Sequence, residues 1–209
     1  MIAIQTEQLK SEQKCSVLLV EEGNVETDGV EKSTNSLKQS LINLDFDVIS
    51  FIDNPMLLSK KCAQEPHDIL IINTNAPSSV LLIELASINQ LTPLPVLIFA
   101  KQENHSLIKS SIKAGVSAYI VNNNQPDRLT SLITVACARF EQQQLLAKEL
   151  KQTKNLLADR KIVERAKGYI MQQRKMTEQE AFTLLRKMAM NNGQTLAEVS
   201  NNIISVFTH

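Results

Sequence analysis

The feature that most constrains this chain is the regular alternation of short apolar runs with longer helical patterns before residue 135. The apolar runs predict buried strands at 16–20, 47–52, 68–72, 95–100 and 118–121. Helical patterns separate them, at 36–44, 57–63, 80–89 and 106–114. Continuously apolar strands that alternate with helices are typical of a parallel sheet covered on both faces. The pattern therefore predicts a flavodoxin-like, doubly wound α/β domain.

The chain after Pro126 predicts one very long helix. From Asp127 to about Gln173 it has no proline and a single glycine, Gly168. Side chains at three- and four-residue steps form a coiled-coil seam there: Leu129, Leu132, Ala136, Leu146, Leu150, Thr153 and Leu157. We predict that the last helix of the α/β domain continues into a stalk that dimerises through Leu146, Leu150 and Leu157. Arg139 and Gln143 interrupt the seam, so a single amphipathic helix packed on its own chain stays open as the alternative.

Two capping boxes predict two further helices. Thr177 and Thr195 are each followed three residues later by a glutamate, a pairing that closes the first turn of a helix. Gly193 is placed to end the first of these helices. The second is predicted to face inward with Leu196, Val199, Ile203 and Val206. With the end of the stalk they form a predicted three-helix bundle. The predicted domains are a polar N-terminal extension (1–13), an α/β domain (14–138), a coiled-coil linker (139–159) and the bundle (160–209).

Charge is balanced over the whole chain but not along it. The sequence holds 22 Lys+Arg and 22 Asp+Glu. Residues 1–138 contribute 10 basic and 15 acidic side chains, whereas residues 139–209 contribute 12 and 7. An acidic domain is thus joined to a basic one, for which nucleic acid is a natural partner.

Several functional classes are disfavoured by what the sequence lacks. Cys15, Cys62 and Cys137 are isolated, and an odd count without CxxC spacing argues against a disulfide framework or a zinc site. No P-loop, GxGxxG, HExxH or GxSxG motif occurs, so we predict no cofactor, no bound metal and no enzymatic activity. The N-terminus is polar, and no apolar run approaches the roughly 18 residues of a membrane span. These features predict a cytoplasmic protein that does not enter a membrane.

Functional residues of a doubly wound domain lie beyond the carboxyl ends of its strands. Glu21 and Glu22 follow the first predicted strand, and they resemble the acidic pair that holds Mg²⁺ in response-regulator receiver domains. The resemblance places Asn73 at the phosphoacceptor position, Ala100 at the Ser/Thr position and Asn122 at the Lys position. Asn73 has no anionic oxygen to attack phosphorus, Ala100 has no hydroxyl and Asn122 has no positive charge. The resemblance therefore implies a pseudo-receiver without a phosphorylation switch. Weak binding of a divalent ion by Glu21 and Glu22 stays open.

The most specific motifs lie in the basic tail. They are R-K-x-x-E-x-A-K-G at 160–168, A-F-x-x-L-R at 181–186 and A-M at 189–190. The tail resembles the ANTAR domain, the RNA-binding output module of transcription antiterminators. With the segments 115–121 and 136–141, the chain resembles ANTAR antiterminators of the NasT/AmiR type, and NasT-like members more than AmiR-like ones.

This resemblance implies a function and a set of partners. ANTAR domains bind paired hairpins in the leader of nascent mRNA and prevent a terminator from folding. NasT-like members act on nitrate/nitrite assimilation operons and are held inactive by a NasS-like nitrate sensor. We therefore expect an antitermination regulator whose partners are a leader mRNA, a NasS-like sensor and a second copy of this chain. A phosphorylation-dependent, DNA-binding response regulator and an interaction scaffold without nucleic acid are the alternatives.

Basic and polar residues of the tail are the predicted RNA contacts: Arg160, Lys161, Arg165, Lys167, Tyr169, Arg186, Lys187, Gln194 and Thr195. The cations would neutralise phosphates, and Tyr169 could stack on a flipped-out base. Ordinary packing of Tyr169 and helix capping by Thr195 are the alternatives. Gly168 within a helix costs about 1 kcal/mol relative to alanine, which close approach of another helix or of RNA would explain.

Overall fold

The computed structural model of the protein describes residues 14–22, 31–51, 55–121 and 126–207. The predicted N-terminal extension (1–13) and Asn122 lie outside these ranges. The chain divides into two compact units, Met1–Gln142 and Gln143–His209, which are described separately below.

The N-terminal unit is built on a five-stranded parallel sheet with the strand order β2-β1-β3-β4-β5. Its strands are β1 (Ser16–Glu22), β2 (Asp47–Phe51), β3 (Ile69–Thr74), β4 (Val96–Ala100) and β5 (Ala118–Val121). The helices between them are α1 (Glu31–Asn43), α2 (Leu58–Gln64), α3 (Ser79–Leu91) and α4 (His105–Lys113). This topology confirms the predicted flavodoxin-like, doubly wound fold.

The apolar runs form this sheet because both of its faces are covered. Successive residues of one strand belong to different buried clusters: Leu18 lies in the same cluster as Leu85, whereas Leu19 lies in the same cluster as Ile133. A strand buried on both sides must be apolar at successive positions, and the sequence shows that pattern.

Two strands continue past the residues at which the apolar runs predicted their ends. β1 includes Glu21 and Glu22, and β3 includes Asn73 and Thr74. The ladder pairs Glu21 with Asn73 and Glu22 with Thr74. Ladder hydrogen bonds are made by backbone groups, so the pairing continues after the side chains turn polar. The predicted ends of these strands were therefore two residues too early.

Helix α5 (Leu129–Arg174) is the long helix that the sequence predicted, with 46 residues. Its first turns pack on the sheet through Leu129, Ile133 and Ala136. From residue 145 to residue 161 every side chain is exposed. Leu146, Leu150 and Leu157 are each more than half exposed, so the described part of this chain does not cover the predicted seam.

The C-terminal unit contains the end of α5, α6 (Glu178–Asn192) and α7 (Leu196–Phe207). Its core joins Ala166 and Ile170 of α5 to Leu185 of α6 and Val199 of α7, which confirms the predicted C-terminal helices. Both capping boxes are formed. The Glu180 and Glu198 amides donate to the hydroxyls of Thr177 and Thr195, and each glutamate carboxylate accepts from the backbone amide of its threonine: Glu180 from Thr177, Glu198 from Thr195.

The two glycines of this unit differ in backbone conformation. Gly193 has φ +62° and ends α6, as predicted. Gly168 lies within α5, and beyond its chain neighbours and the adjacent backbone of α5 itself no atom of the described residues comes within 4 Å of a Cβ built there. Within the part of the chain that the structure describes, no other helix approaches Gly168 closely, so this form of the first expected reason is wrong. Approach of RNA stays a prediction.

None of the helices in the described ranges is both long enough and apolar enough for a bilayer crossing.

Candidate nucleic-acid interface

One line of exposed cations runs along α5. Successive residues lie about 100° apart around an α-helix, so residues four apart lie about 40° apart. Lys161, Arg165 and Tyr169 follow one another at this four-residue spacing, and both cations are exposed. Arg160 is exposed as well, but it lies about 100° around the helix from Lys161. Lys161 and Arg165 thus share one side of α5, and Arg160 lies on another.

An aromatic pair joins this line of cations to the last helix. The rings of Tyr169 and Phe207 stack with their centroids 5.8 Å apart and an interplanar angle of 17°. The guanidinium carbon of Arg165 lies 5.9 Å from the centroid of the Tyr169 ring, within cation–π range. Arg165, Tyr169 and Phe207 therefore form one cationic-aromatic cluster, which we call the Tyr169 cluster.

Phe207 was missed by the sequence analysis, which predicted Val206 on the inner face of α7. Val206 is 74% exposed, and Phe207 contacts Tyr169. A signal for this was present in the sequence, because Phe207 lies four residues after the inward-facing Ile203 and so shares its side of the helix.

Lys167 occupies a different environment from the other predicted RNA contacts. Its side chain is 9% exposed, and its Nζ lies 2.9 Å from Glu164 and 2.7 Å from Glu178. The hydrogen bonds that Lys167 donates to Glu178 and Glu164 raise the pKa of Lys167, and the same bond to Glu178 lowers the pKa of Glu178. The Nζ also lies 6.0 Å from the Phe182 ring centroid. Two carboxylates thus already neutralise this ammonium group, which connects α5 to α6.

Two different sides of α5 contact the two following helices, and the remaining predicted residues are divided between these sides. The Lys167 side of α5 contacts α6 through Glu178, whereas the Tyr169 side contacts α7 through Phe207. Arg186 and Lys187 are exposed on α6. The structure therefore places Tyr169, with Arg165 over its ring, on the side of α5 that contacts α7. Arg186 and Lys187 belong to the helix that contacts the other side of α5.

The turn before α7 contains Gln194 and Thr195, which are both exposed. The hydroxyl of Thr195 donates to Glu198 Oε2 at 2.9 Å and accepts from the Glu198 amide at 3.2 Å. Hydrogen bonds from Thr195 lower the pKa of Glu198. Thr195 therefore has the capping role that we gave as its alternative. The Gln194 backbone amide donates to the carbonyl of Ala189.

Glu22, at the carboxyl end of the sheet, connects β1 to β3 and to the start of α3 through hydrogen bonds. Its carboxylate accepts from the Thr74 hydroxyl at 3.3 Å and from the Ser78 amide at 3.2 Å. Burial raises the pKa of the neighbouring Glu21. Asn73 is half-buried in β3, and Ala100 is buried at the end of β4. Neither of these two side chains offers a carboxylate or hydroxyl oxygen for phosphoryl chemistry.

Comparison with known proteins identifies the C-terminal part of the chain. Residues 151–204 match the ANTAR domain. The transcriptional regulatory protein PdtaR of Mycobacterium tuberculosis is 29% identical over 110 residues, which are 53% of this chain and 54% of PdtaR. The nitrate regulatory protein of Klebsiella oxytoca is 36% identical over 63 residues, or 30% of this chain and 16% of that protein. The chain thus spans about half the length of PdtaR and less of the second relative.

Solved structures resemble the N-terminal unit. One is the signal receiver domain of a modulated diguanylate cyclase from Desulfovibrio desulfuricans, with a TM-score of 0.51 and 17% identity, covering 63% of this chain and 99% of that one. A CheY-like response regulator receiver domain protein from Methanospirillum hungatei gives the same four values. At this identity the likeness concerns the fold alone. The chain therefore combines a receiver-like fold with an ANTAR domain, which confirms both resemblances found in the sequence.

Proposed function

We propose that the protein is an RNA-binding regulator that acts on leader mRNA hairpins in the cytoplasm and prevents transcription termination. The observation that carries this proposal is the ANTAR domain at 151–204, because its exposed side chains include Lys161 and Arg165, and Arg165 lies over the half-buried Tyr169 ring. Two relatives support a regulatory role by name, and one of them is a nitrate regulatory protein. We extend the proposal to a nitrate/nitrite assimilation operon on the strength of that relative.

The chemistry of the candidate interface fits a hairpin. Lys161 and Arg165 present positive charge at the surface, where they would neutralise phosphates and release counterions. Tyr169 offers an aromatic surface beside Arg165, and unpaired loop bases of RNA are commonly bound by stacking on such groups. The ring of Phe207 supports Tyr169 from α7. Lys167 is assigned a structural role, since its charge is already engaged by Glu164 and Glu178.

Control by a protein partner and not by phosphorylation is the second part of the proposal. Asn73 has no carboxylate to accept a phosphoryl group, and Ala100 has no hydroxyl to bind one. Glu22 is occupied by hydrogen bonds from Thr74 and Ser78. A receiver-like unit of this kind needs another input, and we propose a NasS-like nitrate-sensing protein that releases the regulator when nitrate binds.

A dimer would engage both hairpins of a paired leader. The leucines at 146, 150 and 157 are exposed on α5, and packing two copies along them would remove apolar surface from water. Two linked modules bind two linked hairpins more tightly than one module binds one hairpin, because the second binding event is intramolecular.

The test is binding of the full chain to the leader RNA of its own operon, measured at several salt concentrations. Loss of Lys161 or Arg165 should weaken binding to every RNA and reduce the salt slope by roughly one unit or less per contact. Tyr169→Ala should instead weaken binding to the cognate loop by about 1–3 kcal/mol, by analogy with single-base stacking. Arg186→Ala and Lys187→Ala test whether α6 takes part.

The matched control is Lys167→Met, which removes a cation of the same helix that is already paired. It should leave the salt slope unchanged. If wild-type protein binds the leader no better than an unrelated RNA and shows no salt dependence, the RNA-binding proposal is wrong and the scaffold alternative stands.

A further inference from the structure

A second group of cations lies on α5, N-terminal to the Tyr169 cluster. Lys151, Lys154, Lys161 and Arg165 are all exposed. At about 100° per residue their positions fall within an arc of about 80° around the helix. We call these four residues the basic stripe. At about 1.5 Å per residue it extends over about 21 Å of α5, and Tyr169 continues it on the same side.

The acidic side chains of this part of α5 are segregated from the stripe. Glu149 and Asp159 lie at least about 80° outside its arc, and Glu164, which pairs with Lys167, lies about 60° outside it. The leucines of the proposed dimer seam lie on the adjacent side. A dimer formed through Leu150 and Leu157 would leave Lys151 facing solvent, with Lys154 and Lys161 at the edge of the interface. Segregation of this kind is not needed to solubilise an exposed helix, for which cations and anions interleaved around it would suffice.

The cations of the stripe also differ from Lys167 in their surroundings. Lys167, on the same helix, is held by Glu164 and Glu178. None of the four ion pairs found among the described residues involves a member of the stripe. Their charges are therefore uncompensated by neighbouring carboxylates and available to a polyanion.

We propose that the three lysines of the basic stripe, Lys151, Lys154 and Lys161, bind the phosphate backbone of the hairpin stem, while the Tyr169 cluster, which includes Arg165, contacts the loop. This inference rests on the proposed RNA-binding function and extends the interface beyond its predicted residues, to Lys151 and Lys154. Three observations favour RNA over an acidic protein: the stripe shares Lys161 and Arg165 with the candidate interface, it lies within the ANTAR match at 151–204, and it is linear.

The chemistry of a stem suits this surface. The bases of an A-form stem are poorly accessible, so proteins bind it mostly through phosphates, 2′-hydroxyls and shape. Lysine carries a compact charge at the end of a flexible side chain, which suits neutralisation of phosphates without recognition of bases. Duplex DNA carries about one phosphate charge per 1.7 Å of helix axis. If the charge density of an RNA stem is similar, the stem offers several phosphates along the length of the stripe.

The experiment uses the full chain with the double substitution Lys151→Gln and Lys154→Gln. The matched control is Lys109→Gln with Lys113→Gln, which removes the same charge from two exposed positions of α4. Each protein is titrated with two RNAs, the complete leader hairpin and the same loop on a shortened stem, from about 50 to 200 mM salt. Sedimentation verifies that all proteins have the same oligomeric state.

On the complete hairpin the Lys151/Lys154 variant should lose about 1.4 to 1.8 units of salt slope, that is, about 0.7 to 0.9 for each contact. Its affinity near 0.1 M salt should fall on the order of tenfold. On the shortened stem it should bind like wild type, and the Lys109/Lys113 control should match wild type on both RNAs.

Different failures are distinguishable. If wild-type protein binds neither RNA, the proposed function fails and this inference fails with it. If wild type binds the hairpin and the Lys151/Lys154 variant keeps its salt slope, the stripe does not contact RNA although the proposed function stands. An equal loss on both RNAs would also overturn the assignment of the stripe to the stem.

Discussion

Replacing Gly168 with alanine should stabilise the C-terminal unit by about 1 kcal/mol. Gly168 is exposed within α5 and has a helical backbone, so alanine adopts its conformation without strain. Apart from the adjacent backbone of α5 itself, a new Cβ would meet no atom of the described residues within 4 Å, so no packing cost offsets the gain in helix propensity. That gain is about 0.8–1.0 kcal/mol. For a domain of 60–100 residues it corresponds to a rise of about 4–8 °C in the unfolding temperature.

Gly193 supplies a matched substitution of opposite sign. A Cβ at Gly193 also has open space around it, but its φ is +62°. Alanine in this left-handed conformation costs about 1–2 kcal/mol. Gly193→Ala should therefore destabilise the unit, although it makes the same chemical change as Gly168→Ala.

Urea unfolding followed by far-UV circular dichroism measures both effects as shifts of the midpoint at constant m value. Hydrogen exchange of α6 amides assigns the transition to the C-terminal unit. A Gly168→Ala protein less stable than wild type would refute the reasoning, because some group must then occupy the space that the structure shows as open. If RNA occupies that space in the complex, Gly168→Ala will be more stable than wild type and yet bind the leader more weakly.

Three further predictions concern the buried lysine, the stalk and the receiver-like unit. The raised pKa of Lys167 means that its ion pairs stabilise the protein fully below the ordinary lysine pKa of about 10.4 and are lost as the pH rises through the higher folded value. In the Lys167→Met protein the free energy of unfolding of the C-terminal unit, measured by urea unfolding at several pH values, should therefore fall less at alkaline pH than in wild type. An equal fall in both proteins would contradict the role of the ion pairs. Leu150→Asp combined with Leu157→Asp should give monomers in sedimentation and weaken RNA binding far more than loss of one contact does; a wild-type protein that is monomeric both free and on RNA would disprove the dimer. Because Asn73 lacks a carboxylate, incubation with acetyl phosphate and Mg²⁺ should add no phosphoryl group in intact-mass spectrometry, and an acid-labile gain of one phosphoryl mass would count against a pseudo-receiver.

Local features of the sequence were sufficient to predict the elements and their order. Strands buried on both faces must be apolar throughout, so runs such as 68–72 identify the sheet without knowledge of their neighbours. The threonine–glutamate pairs at 177 and 195 mark helix starts because a capping box closes within four residues. The ANTAR motifs at 160–168 and 181–186 carried the functional assignment in the same way.

The candidate site was less predictable because it depends on contacts between distant residues. From the sequence alone Lys167 is predicted to be an exposed cation like Lys161, yet in the structure it forms an ion pair with Glu178 of the next helix. Phe207 reaches Tyr169 only after α7 has folded back onto α5. The strand ends at Glu22 and Thr74 likewise follow from pairing with each other and not from their own polarity.

The sequence by itself therefore determined the sheet, the helix boundaries set by local caps and the presence of a basic helical tail. Those properties depend on periodicity and on hydrogen bonds that close within one turn. Only the tertiary structure decided which cations are free, since Lys167 is neutralised by a carboxylate from another helix while Lys151, Lys154, Lys161 and Arg165 remain exposed along one side of α5. Charge is a property of a residue, but its availability to a partner depends on which carboxylates the fold brings within reach.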